Sequence, residues 1–94
     1  MRVRWLRRAL RNLDEEADYI ARDDPDAAPR MIHRIATAIE QLTDQPASGR
    51  VGRVPCTREL VVTGTLYIVP YRVRGDAVEI LRVFHAARKW PDKL

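Results

Sequence analysis

Ninety-four residues make one domain, and a chain this short buries a smaller share of its surface than a longer protein does. An apolar content of 46% excludes a disordered chain, and a single cysteine, Cys56, excludes an internal disulfide framework and suits a reducing compartment. No stretch approaches the roughly 18 apolar residues of a membrane span, and the arginine-laden start lacks a signal-peptide core, so a cytoplasmic location is expected.

The net charge of +4 is unevenly spread. Residues 1–45 carry eight arginines against nine acids, whereas residues 46–94 carry nine basic residues against four acids. A second basic cluster, Arg2, Arg4, Arg7, Arg8 and Arg11, opens the chain. Fifteen of the seventeen basic residues are arginine, whose planar fork binds phosphate or carboxylate bidentately. A codon bias toward arginine explains that preference better than it explains the placement. The surface suits a nucleic acid, a machine bound to nucleic acid, or an acidic peptide.

Residues 2–5 form either a short edge strand or a lead into the first helix. From Arg7 the pattern is helical: Trp5, Ala9, Leu13, Ala17 and Ile20 recur at three and four, with Leu6, Leu10 and Tyr19 widening the stripe. Asp23-Asp24-Pro25 ends this helix, because the residue before proline avoids the α region. Asp26 is the expected N-cap of a second helix, with Pro29 in its first turn and a stripe of Ala28, Ile32, Ile35, Ile39 and Leu42. The two form an antiparallel hairpin.

Residues 46–57 read as a loop. The period then changes to two, giving strands at Arg58–Thr63, Leu66–Arg74 and Ala77–Phe84, separated by Gly64-Thr65 and Gly75-Asp76 turns. Tyr67, Val69, Tyr71 and Val73 share one face of the middle strand. Pro70 removes a ladder donor there, so a bulge or locally unpaired backbone is expected. Helices followed by an antiparallel meander define an α+β fold, with the hairpin packed on a small antiparallel sheet within a single domain spanning residues 1–94.

Few residues stand out chemically. His33 lies off the apolar stripe and reads as solvated surface. No Cys/His grouping has metal-ligand spacing, so neither a metal nor another cofactor is expected. Cys56 reads as an inert loop thiol and Trp5 as core. Trp90, beside Pro91, is a candidate partner anchor.

Several stretches in order carry a resemblance. They are an early tryptophan before a helix ending Asp-Tyr-Ile-Ala, then Asp-Pro-Asp-Ala-Ala, then Gln-Pro-Ala-Ser-Gly-Arg. Arg58-Glu59-Leu60-Val61-Val62 and the run from Leu66 to Val73 follow, and the run from Val78 to Pro91 closes the series. Together they resemble the RelE/ParE toxin superfamily of type II toxin–antitoxin systems across essentially the whole chain, with the ParE kind favoured. That fold hosts two activities, so it does not by itself choose between them. RelE-like members are ribosome-dependent endoribonucleases acting on mRNA; ParE-like members act on DNA gyrase.

RelE-like toxins place lysines in the loop before the sheet, an arginine early in the middle strand, and an arginine with a tyrosine or histidine near the C-terminus. This chain has Arg50 and Arg53 in the loop but no lysine, and no tyrosine after His85; if Tyr71 matches the family's middle-strand tyrosine, that strand arginine falls on Ile68. A nuclease here would have to use His85, Arg88 and Arg53. The ParE-like alternative has no catalytic residues, and charge placement nominates Arg50, Arg53, Arg58, Arg82, Arg88, Lys89 and Trp90 for partner binding. The resemblance further implies a cognate antitoxin, folding onto the toxin as it binds, and a toxin–antitoxin hetero-oligomer.

Overall fold

In the computed structural model, which describes residues 1–87 and Leu94, the chain begins with strand β1 (Arg2–Trp5), helix α1 (Arg7–Asp23) and helix α2 (Ala27–Glu40). A single 3-10 turn (Gln41–Thr43) extends α2. Strands β2 (Arg50–Val51), β3 (Arg58–Val61), β4 (Tyr67–Arg74), β5 (Ala77–Ile80) and β6 (Phe84–His85) follow. The sheet order is β1-β5-β4-β3-β2, with β6 continuing alongside β4.

The helical hairpin on a meander is as the sequence implies, but the sheet is mixed rather than wholly antiparallel. Residues 2–5 resolve as an edge strand that runs parallel to β5, pairing Arg2 with Ala77 and Trp5 with Ile80. A parallel neighbour needs a long crossover, and the helical hairpin with the rest of the sheet supplies it. The expected loop also contains β2, which pairs Arg50 with Glu59.

Pro70 interrupts the third meander strand as anticipated. Its carbonyl accepts the Leu81 N–H at 3.0 Å, so its donor-less nitrogen faces the same neighbour. Pairing with β4 stops at Tyr71–Ile80 and resumes at Ile68–Phe84, leaving three residues opposite two. Asn12 on α1 enters the gap, its Oδ1 accepting the Val83 N–H at 3.2 Å.

One sheet face packs on the helices. Tyr67, Val69, Tyr71, Val78, Ile80 and Val83 meet Ala9, Ile35, Ile39 and Leu42, with Trp5 packed against this cluster. Val73, on the same face, projects beyond the helices and is exposed. Leu10 and Tyr19 are also exposed, so the apolar stripe of α1 is narrower than its sequence suggests. Its buried face instead includes Glu16, whose Oε1 accepts the Tyr67 hydroxyl at 3.0 Å. Asp24 rather than Asp26 satisfies the start of α2: its Oδ1 accepts both the Asp26 and Ala27 N–H groups at 3.2 Å, while Asp26 makes no capping bond. His33 is exposed as expected.

Candidate functional surface

Strand alternation sorts the arginines before any function is assigned. Residues paired across a sheet share a face. Arg4 pairs with Glu79, Glu79 with Arg72, Glu59 with Pro70, and Arg50 with Glu59, so all of these lie on the face turned away from the helices. Arg58 pairs with Tyr71 and therefore lies on the helix-facing side.

Two buried carboxylates organise the open face. Glu59 accepts Arg50 Nε and Nη2 at 3.1 and 3.0 Å on one oxygen, and the Arg53 backbone N–H and Nε at 3.0 and 3.2 Å on the other. Burial alone would raise its pKa, but the Arg53 N–H, the Arg50 hydrogen bonds and both positive charges prevail and hold it below the usual carboxylate value. Glu79 accepts Arg72 Nε at 2.7 Å, with Arg4 at 3.5 Å and Arg74 at 3.8 Å. The Arg72 hydrogen bond outweighs burial there and, with the charges of Arg72, Arg74 and Arg4, depresses that pKa as well.

The other nominated residues fall elsewhere. Arg58 Nη1 donates to the carbonyls of Gly49 at 2.9 Å and Ala47 at 3.4 Å, pinning the loop. Arg82 Nε donates to Asn12 Oδ1 at 2.8 Å, and its guanidinium sits 4.7 Å over the Phe84 ring. Burial and the nearby Arg8 lower the Arg82 pKa, though arginine remains charged at neutral pH. His85 meets the core ring of Tyr67 edge-on at 5.4 Å, and its Nδ1 accepts the Ala87 N–H at 3.2 Å. Arg88, Lys89 and Trp90 lie outside the described residues.

The structure thus brings Arg50 and Arg53 together and leaves Arg58, Arg82 and His85 apart from them. Arg53 and His85, two of the three residues a nuclease would need, lie on opposite faces of the sheet. Sequence reasoning passed over Glu59, Glu79 and Asn12. A signal for the first two was present: each is a carboxylate in the middle of a β-period run, between Arg58 and Leu60 and between Val78 and Ile80. Such a residue buries only with cationic partners.

Beside the Glu79 cluster a cleft of about 520 Å³ is lined by Leu6, Arg8, Val54, Cys56, Arg72 and Leu81, among others. Cys56 adopts φ 65°, a left-handed conformation uncommon for a non-glycine residue, at the turn into β3. Among the described residues no group of three His, Cys, Asp or Glu side chains could hold a metal ion, and no helix is long and apolar enough to cross a membrane.

The helical hairpin on one face of a mixed sheet is an arrangement this chain shares with known toxins. The chain belongs to the family described as the ParE toxin of the type II toxin–antitoxin system, parDE, which it matches over residues 3–90. It is 56% identical to toxin Y4kP of Sinorhizobium fredii over 93 residues, covering 99% of this chain and 96% of that protein. It is 42% identical to toxin RelE2 of Caulobacter vibrioides over 86 residues, covering 92% and 96%. Among solved structures it resembles a chain of the chromosomal ParDE toxin–antitoxin system from P. aeruginosa, with a TM-score of 0.83 and 27% identity over 90% of this chain and 95% of that one. Family membership implies an antitoxin as a partner.

Proposed function

We propose that this chain is a ParE-like toxin that inhibits DNA gyrase in the cytoplasm and is neutralised by its cognate antitoxin. The observation that carries the reading is the separation of Arg53 from His85 by the thickness of the sheet. Cleavage through a 2′-hydroxyl needs a base, an acid and cations converging on one phosphate. Arg53 is held by Glu59 on the open face, whereas His85 packs against Tyr67 on the helix-facing side. Ile68, where the resemblance puts the RelE-like strand arginine if Tyr71 matches the family's strand tyrosine, has an apolar and largely buried side chain that cannot stabilise a phosphorane. The ParDE likeness supports the same reading.

The 42% identity to a relative named RelE2 favours a second reading, a ribosome-dependent endoribonuclease using His85, Arg88 and Arg53. Purified toxin added to a gyrase supercoiling reaction and to a translation reaction separates the two. Expected are loss of supercoiling and accumulation of cleaved DNA, both reversed by the antitoxin. Codon-sited mRNA cuts with unimpaired supercoiling would refute the gyrase reading.

A further inference from the structure

We propose that the open face of the sheet grips the phosphate backbone of duplex DNA through two carboxylate-anchored arginine clusters, Arg50 and Arg53 on Glu59 and Arg4, Arg72 and Arg74 on Glu79. The inference rests on the gyrase reading only for its identification of the DNA, as the duplex that the enzyme holds.

The first observation is the charge surplus. One cation suffices to neutralise a buried carboxylate, yet Glu59 has two and Glu79 three. Among the described residues, satisfying the carboxylates therefore leaves three positive charges over, all on one face. Arg4, Arg50, Arg53 and Arg74 remain 51–66% exposed while they hold these contacts. The second observation is how they are held. Arg50, Arg53 and Arg72 each donate Nε to a carboxylate that is 4–5% exposed. Side-chain freedom that a phosphate contact would otherwise remove is already restricted.

Spacing is the third. Glu59 lies opposite Pro70, Glu79 lies opposite Arg72, and these two β4 residues are two apart. Rise along the strand and two inter-strand spacings put the clusters about 12 Å apart. That distance exceeds the size of a single phosphate, so the two clusters would engage separate phosphates of a nucleic-acid backbone. Between them lie the β4 backbone and buried Pro70 rather than an exposed apolar anchor. Protein–protein interfaces enrich arginine alongside aromatic and methionine anchors in a core otherwise depleted of charge, whereas protein–DNA interfaces are polar and strongly positive. That contrast favours DNA over an acidic protein.

The test is fluorescence anisotropy of a labelled mixed-sequence 20-base-pair duplex titrated with the full chain between 50 and 200 mM salt. Three surplus charges neutralising three phosphates give a log–log salt slope of about −2.7, an affinity loss of about 40-fold across that range. Replacing Arg72 and Arg74 by alanine, or Arg50 and Arg53, should shallow the slope by about two, whereas Arg22→Ala with Arg30→Ala, on the helices, should leave it unchanged. Arg72→Lys with Arg74→Lys retains charge and should retain most of the slope, which separates loss of contact from loss of fold. Glu59→Gln with Glu79→Gln keeps every arginine and adds two to the net charge. Weaker binding by this variant supports anchored clusters, and tighter binding overturns them in favour of diffuse attraction. Equal loss from the helix variants, or competition by polyglutamate as effective as unlabelled duplex at equal charge, also overturns the proposal. Gyrase inhibition without DNA binding overturns this inference alone, whereas DNA binding without gyrase inhibition supports it and counts against the gyrase reading.

Discussion

Replacing Tyr71 by phenylalanine isolates the polar contacts that fix the arginine-bearing loop. The Tyr71 ring is fully buried in the core beneath residues 46–49. Its hydroxyl donates to the Pro46 carbonyl at 2.7 Å and accepts the Gly49 N–H at 2.9 Å. Burial accordingly raises the phenol's pKa, against the lowering effects of the Gly49 hydrogen bond and the Arg58 charge. Phenylalanine keeps the ring and its packing, so cavity cost is small and the loss is one of hydrogen bonding. Gly49 is buried, and its N–H would lose its partner, a cost of about 1–3 kcal/mol; Arg58 still holds the Gly49 carbonyl. With the Pro46 bond added, about 2 kcal/mol is expected, or a fall in melting temperature of about 10 °C for a domain of this size. Gly49→Ala attacks the same contact sterically, since its Cβ would lie 2.6 Å from Tyr71 Cε1 and Oη. The double variant should therefore cost less than the two singles combined. Urea and thermal melts read all three; a Tyr71→Phe effect below about 0.5 kcal/mol, or strict additivity, would refute this account of the loop.

Stability should also depend on acid. The folded pKa values of Glu59 and Glu79 lie below the ordinary 4.5, so their contribution is full above that value and is lost as the pH falls through the lowered folded values. Urea melts from pH 7 to pH 3 should show a plateau followed by a decline, and Glu59→Gln with Glu79→Gln should flatten the decline; an unchanged pH profile in that variant would contradict the assignment. Glu16→Ala leaves the buried Tyr67 hydroxyl without its carboxylate and should cost about 1–3 kcal/mol in a thermal melt, despite alanine's better helix propensity. A neutral result would mean that the Glu16–Tyr67 bond contributes nothing to holding α1 on the sheet.

The parts of the fold legible in the sequence are those governed by local period and by turn chemistry. Ile35, Ile39 and Leu42 recur at helical spacing and are buried, and Gly75, at φ 61°, makes the turn between β4 and β5. Parallel pairing of β1 with β5 was not legible, because it joins residues about 75 positions apart and nothing local distinguishes an edge strand from a helix lead-in. Leu10 and Tyr19 were misplaced for a related reason. Apolar type suggests burial, but a single sheet face offers contact to only part of a helix's circumference, and Glu16 takes a place there by bonding to Tyr67.

The candidate surface was half legible, and the missing half was acidic. Counting charge along the chain finds Arg50 and Arg53 but treats Glu59 and Glu79 as mere subtraction from the total. Counting by strand face makes the two glutamates the organising residues, because an anion on the same face as several arginines fixes where their guanidiniums lie. It also removes Arg58 from that face, since one step along β3 turns a side chain from one face to the other. Alternation was thus enough to divide the arginines into two groups, but not to say which face the helices would cover. That choice is made by Tyr67, Val69 and Tyr71, whose burial against α1 and α2 turns Arg4, Arg72 and Arg74 outward together.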